Sequence, residues 1–149
     1  MSIDARHTGR ILALQALFAQ DMCDQSQDTL EWLADEDDYY VDSVYFAREL
    51  VEGVRCQSIA LDQQIHEYAP AWPTDQLSVV DRNILRIALY EVLFQKKAPL
   101  KSVVNEAVEL AKSFGSDTSA RFVNGVLGSV VSDMGQQVNI IAWMLCEGG

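Results

Sequence analysis

Arg6, His7 and Arg10 lie close together near the N terminus, and Arg121-Phe122 forms a second base-bearing pair late in the chain. Residues four apart share a helix face, so Arg6 and Arg10, with His7 beside them, can neutralise phosphates. The same three residues also suit a solvated charged surface. An aromatic beside a base at a helix start can stack on an unpaired nucleotide, while Phe122 alone equally fits a core position. Glu91, Glu106 and Glu109 could do acid–base work. On helices such carboxylates more often form a solvated face or pair with bases, as Glu109 can with Lys112. His7 and His66 fall on different predicted helices, and no HExxH, GxSxG, P-loop or GxGxxG pattern occurs. Cys23, Cys56 and Cys146 form no CxxC pair, and the acidic run Asp35–Asp38 lacks the glycine and the twelfth-position glutamate of a calcium loop. No metal, no cofactor and no catalytic residue is expected.

Chemistry of the phosphate-binding kind must be reconciled with the net charge. The 149 residues carry a formal charge of −11, which by itself argues against nucleic acid. The charge is unevenly placed. Nine acids and no base lie between Asp21 and Asp42, and without them the remainder is −2. The block from Ser78 to Phe122 holds seven bases against five acids. Acidity is therefore a local feature of one stretch. Scattered free thiols fit a reducing compartment. The N terminus has no signal-peptide core, and no apolar run approaches the roughly 20 residues that cross a bilayer. A cytoplasmic protein that does not associate with membranes is expected.

The elements that position these residues read as helices. Ile11, Leu14, Phe18 and Met22 recur at helical spacing in a first helix, with Leu12 and Leu17 widening the stripe and Gly9 weakening it. Asp28 can cap a short helix from Thr29 to about Glu36. Asp42 can cap a long segment whose core face is Val44, Ala47, Val51, Val54, Ile59, Leu61, Ile65 and Tyr68, with a kink or break near Gly53 to Gln57. Ser78-Val79-Val80-Asp81 has the form of a capping box and opens a helix, Val79 to about Gln95, that is apolar on most sides. Such a helix belongs at the centre of a bundle. Pro99 begins a further helix, and Gly115 is placed as its left-handed terminator. Asp117 or Ser116 can cap the next, with Phe122, Val123, Val126, Leu127 and Val130 facing inward. The uncharged run Val138 to Leu145 suggests either a terminal helix docked on the bundle or an exposed patch. The expectation is a compact all-α bundle of about six to seven helices, with residues 1–134 as the domain and 135–149 as an apolar tail.

Three long motifs are recognisable in register. Leu77-Ser-Val-Val-Asp-Arg-Asn-Ile-Leu-Arg-Ile-Ala-Leu-Tyr-Glu91 resembles the central helix of the NusB family of transcription antitermination factors. Asn105-Glu-Ala-Val-Glu-Leu-Ala-Lys-Ser-Phe-Gly115 resembles that family's next helix, and Arg121-Phe-Val-Asn-Gly-Val-Leu127 its late helix. Arg10 onward, with Leu14-Gln-Ala-Leu-Phe18, looks like its first helix. The likeness runs from about Arg6 to Val131.

The resemblance implies two packed helical subdomains and a non-enzymatic RNA-binding adaptor. It implies pairing with NusE, a small-subunit ribosomal protein, and joint binding to the single-stranded boxA element of nascent rRNA leaders. Read-through by the RNA polymerase antitermination complex in rRNA operons would follow. Carried over residue by residue, the RNA contacts would be Arg6, His7, Arg10, Arg121 and Phe122. Arg86 matches the central-helix arginine, for which an internal ion pair is the other reading. Phe18 and Asp81 match the NusE-facing positions. The family contains monomers and dimers, so a homodimer stays open. Two arginines make a shorter basic arm than is usual in the family, which predicts weak RNA binding alone and a shallow salt slope. An alternative is a protein-interaction module of the same fold with weakened RNA binding. The fold also occurs in rRNA cytosine methyltransferases, but the 149 residues show no cofactor-binding domain, so an enzyme is not expected.

Overall fold

The computed structural model describes residues 3–23, 41–71 and 77–147. The expected short helix at Thr29–Glu36 and most of the acidic stretch lie outside the described residues. Among the described residues six α-helices follow one another: α1 (Ile3–Cys23), α2 (Val41–Cys56), α3 (Ser58–Tyr68), α4 (Val79–Tyr90), α5 (Leu100–Phe114) and α6 (Ser119–Glu147). A π-helical turn, Glu91–Gln95, prolongs α4. No strand occurs among the described residues.

Helix α4 is the axis of the bundle, as its apolar surface requires. Asn83, Ile84, Leu85, Ile87, Ala88 and Leu89 are all buried, because α1, α2, α3, α5 and α6 each pack against it. Helices α1 and α2 pair on one side, and α5 and α6 on another. The α1–α2 crossing is close. A Cβ on Gly9 would stand 2.7 Å from Phe46 Cδ1 and 3.0 Å from the Ser43 carbonyl, and Ser43 Oγ donates to the Ala5 carbonyl at 3.0 Å. Gly9 thus gives up helix propensity so that two backbones can approach. Gly53 makes room in the same way for the Tyr90 ring, which stacks on Phe94.

Local punctuation agrees with the sequence in part. Ser78 Oγ accepts the Asp81 N–H at 3.1 Å, the cap expected there. The long segment breaks at Gln57, within the expected range. Asp42 lies inside the first turn of α2 rather than before it. Ile59 faces solvent at 77% exposure, and Met22 is 58% exposed, so neither joins the core. Helical period defines a face but not how wide a strip its neighbours cover. Gly115 is extended (φ −92°, ψ −171°), not left-handed. Its need is space, since a Cβ would sit 2.5 Å from the Ser119 side chain. The left-handed residue is Lys96 (φ 55°), which closes the π turn with its N–H on the Glu91 carbonyl at 2.8 Å. Gly135 interrupts nothing. Helix α6 runs through it to Glu147, so the apolar run continues α6 rather than forming a separate terminal helix.

Candidate functional site

The two ends of α1 carry the residues of interest. At its start, Arg10 points inward. Its Nε and one terminal nitrogen donate to the two Glu91 carboxylate oxygens at 2.9 and 2.8 Å, a bidentate pair with both side chains almost fully buried. The guanidinium carbon lies 5.5 Å from the Phe46 ring centre, and the other terminal nitrogen is 3.7 Å from Glu106. Glu106 in turn meets His7 Nδ1 at 2.7 Å. One carboxylate therefore ties α1 to α5, and another ties it to the end of α4.

This arrangement corrects the surface cluster expected from the spacing of Arg6 and Arg10. Arg10 is 3% exposed and cannot present its guanidinium to a phosphate. It holds the arm in place instead. Arg6 is half-buried and makes no ion pair among the described residues, and the His7 side chain is 42% exposed. One helix away, Arg121 is exposed in the first turn of α6 and Phe122 packs partly against the core. Helix α5, which His7 reaches through Glu106, lies along α6.

At the other end of α1 the charges are reversed. Asp21 Oδ2 accepts from Asn83 Nδ2 at 2.9 Å, Arg82 at 3.1 Å and Arg86 at 3.2 Å, all in the first turns of α4. A carboxylate here also suits the positive end of the α4 dipole. Arg86 is gripped again by Asp62 of α3 in two bonds of 2.8 Å. Burial opposes its charge, but the bonds to Asp62 and the attraction of Asp62 and Asp21 outweigh burial and raise its pKa. Arg86 thus makes the internal ion pair of its second reading, with 14% of its side chain left exposed. Phe18 is 39% exposed, and Met22 lies one turn further along the same face. Asp81 Oδ1, Arg82 Nε and Gln20 Nε2 are buried without a hydrogen-bond partner. Of the expected partner positions, Phe18 is exposed and Asp81 is half-buried in the first turn of α4.

Sequence reasoning missed Glu91, Asp21, Asp62 and Phe46 as organisers of both ends. Only Glu91 carries a sequence signal, as a carboxylate at the end of an otherwise apolar face; Asp21, Asp62 and Phe46 lie among other polar residues. No cluster able to hold a metal ion occurs among the described residues, and none of the described helices is long and apolar enough to cross a membrane.

A family profile described as the NusB family matches residues 7–132. The chain is similar to the transcription antitermination protein NusB of Chloroflexus aggregans, 50% identical over 130 residues, covering 85% of this chain and 87% of that protein. It is 42% identical over 136 residues to the protein of the same name from Dehalococcoides mccartyi strain CBDB1, covering 91% and 95%. Among solved structures it resembles T. maritima NusB, with a TM-score of 0.79, 35% identity and coverage of 85% and 90%. A crystal structure of antitermination factors NusB and NusE in complex with dsRNA shares its fold, with a TM-score of 0.81, 24% identity and coverage of 89% and 99%.

Proposed function

The chain belongs to the NusB family, and from that premise we propose that it is a transcription antitermination adaptor that binds boxA-type rRNA leader RNA together with NusE. The observation that carries this reading is the family match across 7–132, which includes every candidate contact except Arg6. The role requires no catalysis and no cofactor, and it places the protein with nascent transcripts in the cytoplasm. Arg6, His7 and Arg121 supply charge, with His7 contributing when protonated, and Phe122 offers a ring edge to an unpaired base. Arg10 and Arg86 act as positioning residues: the first orients the arm, the second the start of α4. The exposed Phe18 and Met22 of α1, together with Asp81 in the first turn of α4, receive NusE. Residues 1–134 carry both surfaces, and the apolar tail from 135 onward continues α6 as far as Glu147.

A titration of fluorescent boxA RNA, with and without NusE, at several salt concentrations tests this. Arg6→Ala/Arg121→Ala is expected to flatten the log K against log salt slope by about 1.4, since each phosphate contact on single strands contributes about 0.7. Equal affinity for boxA and scrambled RNA in the presence of NusE overturns the reading. Internal engagement of Arg10 and Arg86 favours one other reading, an interaction module that binds NusE but little RNA. That reading gains if NusE binds while RNA adds nothing to the complex.

A further inference from the structure

A cleft of about 170 Å³ opens beside Arg6, between the start of α1, one face of α2 and the π turn with the residues after it. Its deep wall is Phe46 and the Arg10-bound Glu91, both buried. Toward solvent lie Tyr45, which is 61% exposed, and Glu49 and Lys97. Gln95 completes the lining.

We propose that this cleft is a nucleotide subsite that takes one unpaired cytosine of a bound RNA. The proposal rests on the RNA-binding reading above and adds to it a base-recognising pocket separate from Arg121-Phe122. Size is the first reason. A cavity of about 150 Å³ accommodates a single six-membered ring such as benzene, so about 170 Å³ suits a pyrimidine and is tight for a purine. Chemistry is the second. Tyr45 offers an exposed ring for stacking. Among the described residues Glu49 is held only by long contacts, 3.3 Å from Gln95 Nε2 and 3.7 Å from Lys97 Nζ. A carboxylate accepts about four hydrogen bonds, so Glu49 retains capacity for the exocyclic amine of cytosine, which uracil lacks. Gln95 Oε1 is buried with no partner among the described residues, an acceptor that a donor in the cleft would satisfy. Arg6 and Lys97 supply positive charge for the flanking phosphates, and Lys97 is 65% exposed. The backbone explains why the cleft exists. The π turn widens the helix at Gln95, and left-handed Lys96 turns the chain so that Lys97 and Ala98 form the remaining wall.

The test uses the full chain and cytidine, uridine and adenosine 5′-monophosphates, followed by backbone amide shifts in NMR. Cytidine monophosphate is expected to move the amides of Tyr45, Glu49, Gln95 and Lys97, and to bind about tenfold more tightly than the uridine compound. Glu49→Gln should abolish that preference, and Tyr45→Ala should weaken all three nucleotides. In the complex with NusE, changing single cytosines of the RNA to uracil should lower affinity at one position in wild type and not in Glu49→Gln. Shifts that map elsewhere, or equal affinity for the three nucleotides, overturn the subsite. If NusE-dependent boxA binding persists unchanged in Tyr45→Ala and Glu49→Gln, the subsite fails while the adaptor reading stands. If boxA binding is absent in wild type, the adaptor reading fails, and the mononucleotide shifts decide the cleft independently.

Discussion

The two ends of α1 are fastened to α4 by ion pairs of opposite polarity, and they differ in what they leave exposed. At the start, a base on α1 meets acids on the π turn and α5 in a site closed to water. At the end, an acid on α1 meets bases on α4 at a half-open surface. The closed pair removes Arg10 from any role in solution and leaves Arg6 and His7 as the presented groups. The open network leaves Phe18 and Met22 uncovered. One helix thus delivers a polar, cationic face at one end and an apolar face at the other. The ion pairs hold each face in place without belonging to it.

The largest expected effect comes from breaking the closed end. Arg10→Ala or Glu91→Ala leaves a buried charge without its partner and should cost about 3–5 kcal/mol in denaturant unfolding. Arg10→Met/Glu91→Leu should recover most of that loss, because replacing both ions avoids the desolvation cost. If each single variant costs less than about 1 kcal/mol, the contrast with the open end disappears.

Gly9→Ala comes next. The substitution gains about 1 kcal/mol of helix propensity, but its methyl group meets Phe46 and the Ser43 carbonyl, and overpacking of this kind costs about 1–3 kcal/mol. A net loss of about 1 kcal/mol is expected, with lowered Tm, since the carbonyl belongs to a buried backbone. Asp21→Asn probes the open end and should cost about 1 kcal/mol, weakening further in salt, because the Asp21 side chain is 27% exposed and its pairs are screened. A loss equal to that of Arg10→Ala would show the two ends to be alike.

The smallest effect lies away from both ends. Tyr68 donates to Asp133 at 2.7 Å, and this bond, with burial and the charges of Asp133 and Glu67, pushes its pKa up to about 12. Since the unfolded phenol titrates near 10, the stabilisation is fully present below about pH 10 and is lost as pH rises through 12. Tyr68→Phe should remove that part of the alkaline dependence of unfolding, while Asp21→Asn should leave it intact.

Much of this frame was legible in the residues. The capping box at Ser78, the all-round apolar surface of α4 and the break near Gln57 follow from local pattern, and the structure has them where pattern puts them. The side chains of Arg10 and Arg86 were harder to place, because their partners are 81 and 24 residues away. Spacing along one helix says which residues share a face, and nothing about what descends on that face from elsewhere. Met22 and Ile59 miss the core for the same reason. Gly115 shows another limit: a glycine after a helix signals a terminator, yet here it answers crowding by Ser119.

The pairing of Arg10 with Glu91 has a consequence for synthesis in time. Arg10 precedes Glu91 by 81 residues, and His7 precedes Glu106 by 99, so each base is made before the acid that holds it. At about 5–20 residues per second, Arg10 waits on the order of 4–16 s for Glu91 to be polymerised, and longer for it to clear the exit tunnel. During that interval the start of α1 has a lone cation where a locked pair will be. The arm is made well before the acids that set it.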